Sequence, residues 1–346
     1  MILSVLGDTF ADIVCRPLDK LPTWGTDCMV TEPIRIMLGG SAANIAVHTG
    51  NLNRAANLNK EGGEGKGRGG ALADAESARG GQSCVLHTSV GSDDLGDFVR
   101  KKLDDFEVEW SQTKRRGHQG ACVVLSGRED RGFVSHRGST AQFCREDIDV
   151  PRLMASDHVH VAGLYNCPAL AKDLPGLLAE AREGGATCSL GPQWDASEEW
   201  GGLDLLYPSL DVFIPNEDEA LNISRCTDVN DAASFFLDKG VGLVVVTLGK
   251  RGAFAVSRRG GSGAGGGETR ETAGRWEQSS SPVEVVDTTG AGDAFAAGFL
   301  HIWKATGDVQ EALRWGCALG STVVTREGAT CRLSVDEDIR PNLMPR

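Results

Sequence analysis

The stretch Asp287-Thr288-Thr289-Gly290-Ala291-Gly292-Asp293-Ala294-Phe295 decides how the chain is read. Ahead of it, Val283-Glu284-Val285-Val286 has the composition of a short strand. After it, residues 294–306 carry apolar side chains at helical spacing with no breaker before Gly307. The pattern predicts a strand, a glycine turn and a helix start. Two glycines around an alanine let the backbone approach a ligand closely, and the free N–H groups of a helix N-terminus favour an anion such as phosphate. Asp293 does not suit a turn that only holds phosphate, because its carboxylate repels one. It suits a base that takes a proton from a hydroxyl while the N–H groups stabilise charge on a transferred phosphoryl. Two plainer readings stay open. An acid in a first helical turn complements the dipole without any chemistry. A Gly-x-Gly turn also occurs in dinucleotide fingerprints, although those follow the first strand of their unit and carry a third glycine that is missing in register here.

At 346 residues the chain can form one large α/β domain or two ordinary ones, with a sizeable core in either case. Its 48 acidic and 35 basic side chains leave a net charge of -13, which argues against a nucleic-acid partner held by phosphate neutralisation. Nucleotides, held by local glycine loops and metal, are not excluded. The ten cysteines are scattered singly without a Cys-x-x-Cys pair, as expected of reduced apolar fillers in a cytoplasmic chain. No apolar run approaches membrane-spanning length, and residues 1–6 lack a basic flank and stop at Gly7-Asp8, so they read as a first strand and not as a signal peptide.

That strand is followed by Thr9-Phe10-Ala11-Asp12, small and acidic residues where open α/β sheets present ligand groups. Residues 13–38, broken by three prolines, read as an excursion of half-exposed strands. Gly39-Gly40-Ser41-Ala42-Ala43-Asn44 opens a helix expected to end near Asn53; its glycines admit a small ligand and Asn44 offers an amide to a hydroxyl, although a plain glycine turn with a helix cap explains the same letters. Residues 55–82, rich in Gly, Glu, Lys and Arg without an apolar face, are expected to be a mobile insertion. Two strand-like runs on either side of residues 127–131 form a hairpin that can pair with the first excursion, and Arg137 just beyond it can face a substrate or solvent.

From residue 158 the rhythm is βαβα. His158 and His160 share a strand face without a third metal ligand nearby in sequence. A helix is expected over 170–184. Pro215-Asn216-Glu217-Asp218-Glu219 starts another, whose acids suit the dipole; Asn216 and Glu219 also share a face able to hold a hydrated Mg2+ beside polyphosphate. The most apolar strand, Leu243 to Leu248, ends in Gly249-Lys250-Arg251-Gly252, a turn at which a nucleotide can lie. Residues 257–281 are expected to be a second mobile insertion, and residues 309–324 a last long helix.

Taken together, Gly7-x-x-x-x-Asp12, Gly39-Gly40-x-x-x-Asn44, Asn216-Glu217-x-Glu219, Thr247-x-Gly249-x-x-Gly252 and the stretch 287–295 resemble the PfkB family of carbohydrate kinases, the ribokinase-like fold. The resemblance covers nearly the whole chain apart from the two insertions. It implies one α/β domain over residues 1–346, with a doubly wound, mainly parallel sheet flanked by helices and a small β-sheet lid from residues 13–38 and 119–137. It implies Asp293 as the base, with Gly290, Ala291 and Gly292 as the anion hole. Asn216 and Glu219 fall near Mg2+ and phosphate, the metal being reached through water, and Thr247, Gly249 and Gly252 lie at ATP. Asp12, Gly39, Gly40 and Asn44 hold substrate hydroxyls, joined by Arg137. A monovalent cation such as K+ is implied beside Asp287, Thr289 and Gly328. Phe10 stands where ribokinases carry a sugar-binding amide and Ser41 where they have a lysine, which counts against ribose itself.

The expected activity is transfer of the γ-phosphoryl of ATP to a primary alcohol of a small sugar or sugar acid. A nucleoside kinase with Phe10 stacked on the base is the nearest rival, and a non-catalytic binding protein of the same fold is a third reading. Nucleic acid and membrane are not expected partners; pairing of a second copy through the lid stays open.

Overall fold

The computed structural model describes residues 1–61, 83–111, 117–127, 131–257 and 274–343. In chain order the elements are β1 (Ile2–Gly7), β2 (Phe10–Leu18), β3 (Arg35–Gly39), α1 (Ser41–Glu61), β4 (Ser83–His87), α2 (Asp94–Asp105), β5 (Glu109–Trp110), β6 (Ala121–Gly127), β7 (Arg131–His136), α3 (Val150–Met154), β8 (His158–Ala162), α4 (Pro168–Ala171) and α5 (Leu174–Glu183). They continue with β9 (Thr187–Gly191), β10 (Val212–Phe213), α6 (Glu217–Ser224), α7 (Val229–Asp238), β11 (Leu243–Thr247), β12 (Ala253–Ser257), β13 (Gly274–Gln278), α8 (Ala291–Thr306) and α9 (Val309–Val323).

Nine strands form one sheet in the order β13-β12-β11-β10-β9-β8-β1-β4-β5, parallel from β11 to β5 and closed at one edge by the antiparallel pair β12 and β13. The interior strands are buried on both faces and mainly apolar: β8 is buried at all five positions, its two histidines included, and β11 at its first four. One core lies between the sheet and α1, α2, α8 and α9, and a second lies on the opposite face under α5, α6 and α7. Helices on both faces of a mainly parallel sheet make the doubly wound architecture, with ligand groups gathered at the carboxyl ends of the strands.

The second sheet has the order β3-β2-β6-β7 and is built from both excursions, β2 pairing parallel with β6 and antiparallel with β3. This small lid is tied to the main body by charge. Arg16 of β2 and Arg35 of β3 both pair with Glu327, and Nη1 of Arg131 on β7 donates to Thr289 Oγ1 at 3.0 Å.

Four local expectations need correction. Helix α1 runs on to Glu61, eight residues beyond the expected end, so the first insertion begins later; residues 62–82 lie outside the described residues. Within 257–281, Ser257 closes β12 and residues 274–278 form the edge strand β13, in register from Ala253↔Gln278 to Ser257↔Gly274. Its sequence, Gly-Arg-Trp-Glu-Gln, contributes only Trp276 to the core, which is why composition hid it; residues 258–273 lie outside the described residues. Residues 283–286 form no strand: Val285 and Val286 are exposed, and the Val286 N–H donates to the Val324 carbonyl at 2.8 Å. The helix expected over 170–184 is divided into α4 and α5, the latter starting afresh with Pro175 in its first turn. The tip of the β6–β7 hairpin, residues 128–130, falls outside the described residues. No described helix is long and apolar enough to cross a membrane.

Candidate active site

Helix α8 starts from Gly290 in the left-handed region, φ 74°, with no side chain capping it. A Cβ at Gly290 would stand 2.6 Å from that of Ala329, so the turn needs glycine for both its conformation and its clearance. The N–H groups of this uncapped first turn, with Ala291 and Gly292 in it, can receive an anion, the Ala291 N–H being engaged only by a long 3.4 Å contact to the Thr288 carbonyl. Asp293 lies in that turn and is buried. Its Oδ2 accepts from Asn44 Nδ2 at 2.8 Å and its Oδ1 faces Gln193 Nε2 at 3.5 Å.

Asn44 reaches Asp293 because α1 begins against β1. Asp8, just past β1, accepts at Oδ1 from the Ala42 N–H at 3.1 Å, and at Oδ2 from Asn166 Nδ2 at 2.8 Å. The Gly39-Gly40 turn brings the end of β3 against β2: a Cβ at Gly39 would fall 2.1 Å from Oδ2 of Asp12. Asp12, Gly39, Gly40, Asn44 and Asp293 therefore form one wall where the lid meets the sheet.

The site concentrates acids. Burial raises the carboxyl of Asp293 to about 7, with Asp8 adding repulsion and hydrogen bonds from Asn44 and Ser41 opposing it. Asp12 is also raised to about 7, by burial and then by Asp8, Asp293 and Asp287. Glu219 reaches about 7 by burial, relieved by the Asn216 N–H and worsened by Asp293. Asp8 is raised by burial as well. A general base working near neutrality needs a carboxylate of this kind, and clustered perturbed acids in a cleft mark functional sites.

On the far side, Asn216 caps α6 by accepting from the Glu219 N–H at 2.9 Å, while Glu219 Oε2 accepts from the Asn216 N–H at 2.9 Å. This reciprocal capping box accounts for the spacing of the two residues, and it leaves Oε1 of Glu219 for water or a hydrated Mg2+. Residues 216 and 247 are bridged through their backbones, so Thr247 and the turn Gly249 to Gly252 sit beside α6 at the end of β11. Nothing packs within 4 Å of the space a Cβ would fill at Gly249. These residues can flank a nucleotide.

Asp287, Thr289 and Gly328 also meet. Oδ1 of Asp287 accepts from the backbone N–H and hydroxyl of Thr289 at 2.9 and 2.7 Å, and Oδ2 from the Gly328 N–H at 3.0 Å. The guanidinium of Arg131 lies 3.8 Å from Asp287, whose carboxyl is held low by these hydrogen bonds and by that charge, against the opposing pull of burial. A fixed positive charge thus stands where a monovalent cation is expected.

Arg137 is half-buried beyond β7 and helps hold the Asp195 carboxyl low. Phe10 opens β2 of the lid and is 4% exposed, which leaves its ring little free face for a nucleobase. His158 and His160 are buried and bond to Thr187 and Ser189 at 2.7 Å, and no group of metal-binding side chains occurs among the described residues. Asp8, Gln193 and Arg131 belong to the site but were not singled out from sequence. Asp8 carried a signal in its place after β1; Gln193 and Arg131 carried none, because strand ends far apart in sequence bring them in.

The pfkB family carbohydrate kinase pattern matches residues 32–335. The chain belongs to the pfkB family of carbohydrate kinases. Along 336 residues it is 28% identical to an ATP-dependent ribose-1-phosphate kinase of Halopiger xanaduensis, covering 94% of this chain and 92% of that one. It is 30% identical over 250 residues to a fructoselysine 6-kinase of Escherichia coli, covering 70% and 83%. The crystal structure of adenosine kinase from Sinorhizobium meliloti has the same fold, with a TM-score of 0.75 at 20% identity over 96% of each chain. As a pfkB member the protein is a sugar kinase, a phosphotransferase with an alcohol acceptor.

Proposed function

We propose that this pfkB kinase transfers the γ-phosphoryl of ATP to a primary hydroxyl of a small sugar or sugar acid, with Asp293 as the base. One observation carries the reading: a buried carboxylate raised to about 7 sits in the uncapped first turn of a helix, bonded to the substrate-side Asn44. Because Oδ2 is engaged by Asn44, Oδ1 receives the proton of the substrate hydroxyl. The amides of Gly290, Ala291 and Gly292 face the charge that develops on the phosphoryl oxygens. Asp12, Gly39, Gly40 and Asn44 orient the substrate, with Arg137 near its far end, and Thr247, Gly249 and Gly252 lie along the nucleotide. The Glu219 and Asn216 pair suits Mg2+ held through water, and the ion supplies charge neutralisation on the phosphates. K+ is not required by this reading, since Arg131 already faces Asp287.

A nucleoside acceptor is the second reading. Phe10 no longer supports it, but Trp194, 50% exposed and edge-on to Trp200 at 4.9 Å, offers a face beside Gln193. ADP release measured across sugars, sugar acids and nucleosides, with Asp293→Asn in parallel, separates the two. Turnover confined to nucleosides would replace the first reading, and nucleotide protection without transfer to any compound would leave a binding protein. The exposed side chains Ile36 and Val134, which the strand register places on the lid face turned away from Asp287 and Glu327, suit a second copy of the chain, which sedimentation would detect. None of the ten cysteines forms a disulfide, which suits a reducing cytoplasm.

A further inference from the structure

Gln193 lies two residues beyond β9 and is one of five described non-glycine residues with positive φ, at 56°. Such a conformation persists only where the surroundings impose it, and it is commonest at functional sites. Here the side chain shows what imposes it. Gln193 Oε1 accepts from the Gly163 N–H at 2.5 Å, just past β8, and Nε2 points to Oδ1 of Asp293 at 3.5 Å. The two ends of an amide are easily exchanged in a structure, but a backbone N–H can only donate. The oxygen must therefore face Gly163, and the amino end must face the carboxylate.

Asp293 is thus flanked unequally. Asn44 holds Oδ2 at 2.8 Å, and the clamped amide stands at a longer 3.5 Å from Oδ1, the oxygen left to receive a proton. Hydrogen bonds at catalytic groups are often long before substrate binds and tighten afterwards.

We propose that Gln193 is a positioning residue for the phosphoryl transfer: clamped by Gly163, it stops the Asp293 carboxylate from rotating and favours its ionised form while leaving Oδ1 open to the substrate hydroxyl. The proposal rests on Asp293 being the base. The groups facing Asp293 are Asp8 after β1, Asp12 of β2, Ser41 and Asn44 of α1, and Glu219 of α6; of these Asp8, Asp12 and Glu219 repel its charge. Among the described partners, Ser41, Asn44 and Gln193 are the donors that oppose this repulsion.

Two substitutions separate positioning from mere support. Gln193→Glu keeps an oxygen for the Gly163 N–H but turns a like charge toward Asp293. Gln193→Gly removes the side chain and suits the positive φ, so the fold is retained. Removing a donor from a carboxylate, or facing it with another, disfavours the ionised base. In both variants the acid limb of the kcat–pH profile should move up by about one pH unit, lowering kcat near neutrality about fivefold with KM for ATP unchanged. Gln193→Glu should shift it further than Gln193→Gly. If Gln193→Glu keeps the parent profile, Gln193 serves only to hold Gly163 and the proposal is wrong. Asp293→Asn is measured alongside: substantial turnover in that variant refutes the base itself, whereas an inactive Asp293→Asn with unshifted Gln193 variants refutes only the positioning role.

Discussion

Two helices begin at the carboxyl edge of the large sheet with an acid in the third position of the first turn. In α6 that acid is Glu219; in α8 it is Asp293. The sequence pattern is nearly the same, and the local structure is opposite. Glu219 folds back onto the Asn216 N–H and completes a capping box. Asp293 has no cap to complete, because Gly290 offers no side chain, so its carboxylate turns outward to Asn44 of another helix. An acid satisfied within its own turn first serves the helix; one satisfied from across the fold leaves the first turn free to meet a ligand, as the proposed function requires of Asp293.

Replacing the two acids should break the comparison in the first place to look. Asp293→Asn should fold normally and lose turnover by about 10²–10⁴, measured as ADP release at saturating substrate. Glu219→Gln retains an oxygen for the Asn216 N–H and should keep stability, while weakening affinity for Mg2+–ATP about tenfold, read as a rise in KM or in the Mg2+ needed for half activity. Glu219→Ala should additionally lose about 1 kcal/mol in denaturant unfolding, because the cap is opened. Asp293→Ala should show no comparable loss of helix stability, since it caps nothing.

A smaller effect comes from pH. Asp12, Asp293 and Glu219 are each raised to about 7 in the fold, from 3.8 or 4.5. The native state therefore binds protons more tightly than the unfolded chain, so their contribution to stability is complete below about 4 and is lost as pH rises through 7. Activity should move the other way, since the base must be ionised. Unfolding of the ligand-free protein at pH 5 and pH 8 should show this loss, on the order of 1–3 kcal/mol, and Asp12→Asn with Asp293→Asn should flatten the slope. Carboxyls held low, such as Asp287 and Asp195, act with the opposite sign, which is why the comparison with the double variant is the measurement. The least effect is expected from exchanging K+ for tetramethylammonium at constant ionic strength: with Arg131 beside Asp287, turnover should change less than about twofold.

What the sequence revealed follows the distinction between the two helix starts. Features settled within a few residues were legible: the apolar run of β11, the glycine turn before α8, the hairpin of the lid, and the paired spacing of Asn216 and Glu219. Features settled by distant neighbours were not. Residues 283–286 look like a strand because three valines surround one glutamate, yet no strand pairs with them. Residues 274–278 do not look like one, and β12 makes them so by pairing. Gln193 is an ordinary loop glutamine until Gly163 and Asp293 stand on either side of it. Phe10 invites a stacking role that only its burial removes.

The arginines of the small sheet have a mechanical consequence. Arg16 and Arg35 end on Glu327, and Arg131 ends on Thr289 and beside Asp287, so the cover grips the two segments that border Gly290. On the proposed reading, swinging the cover aside to admit an acceptor and loosening the turn around Gly290 are therefore one movement, because the same three arginine contacts must part for both.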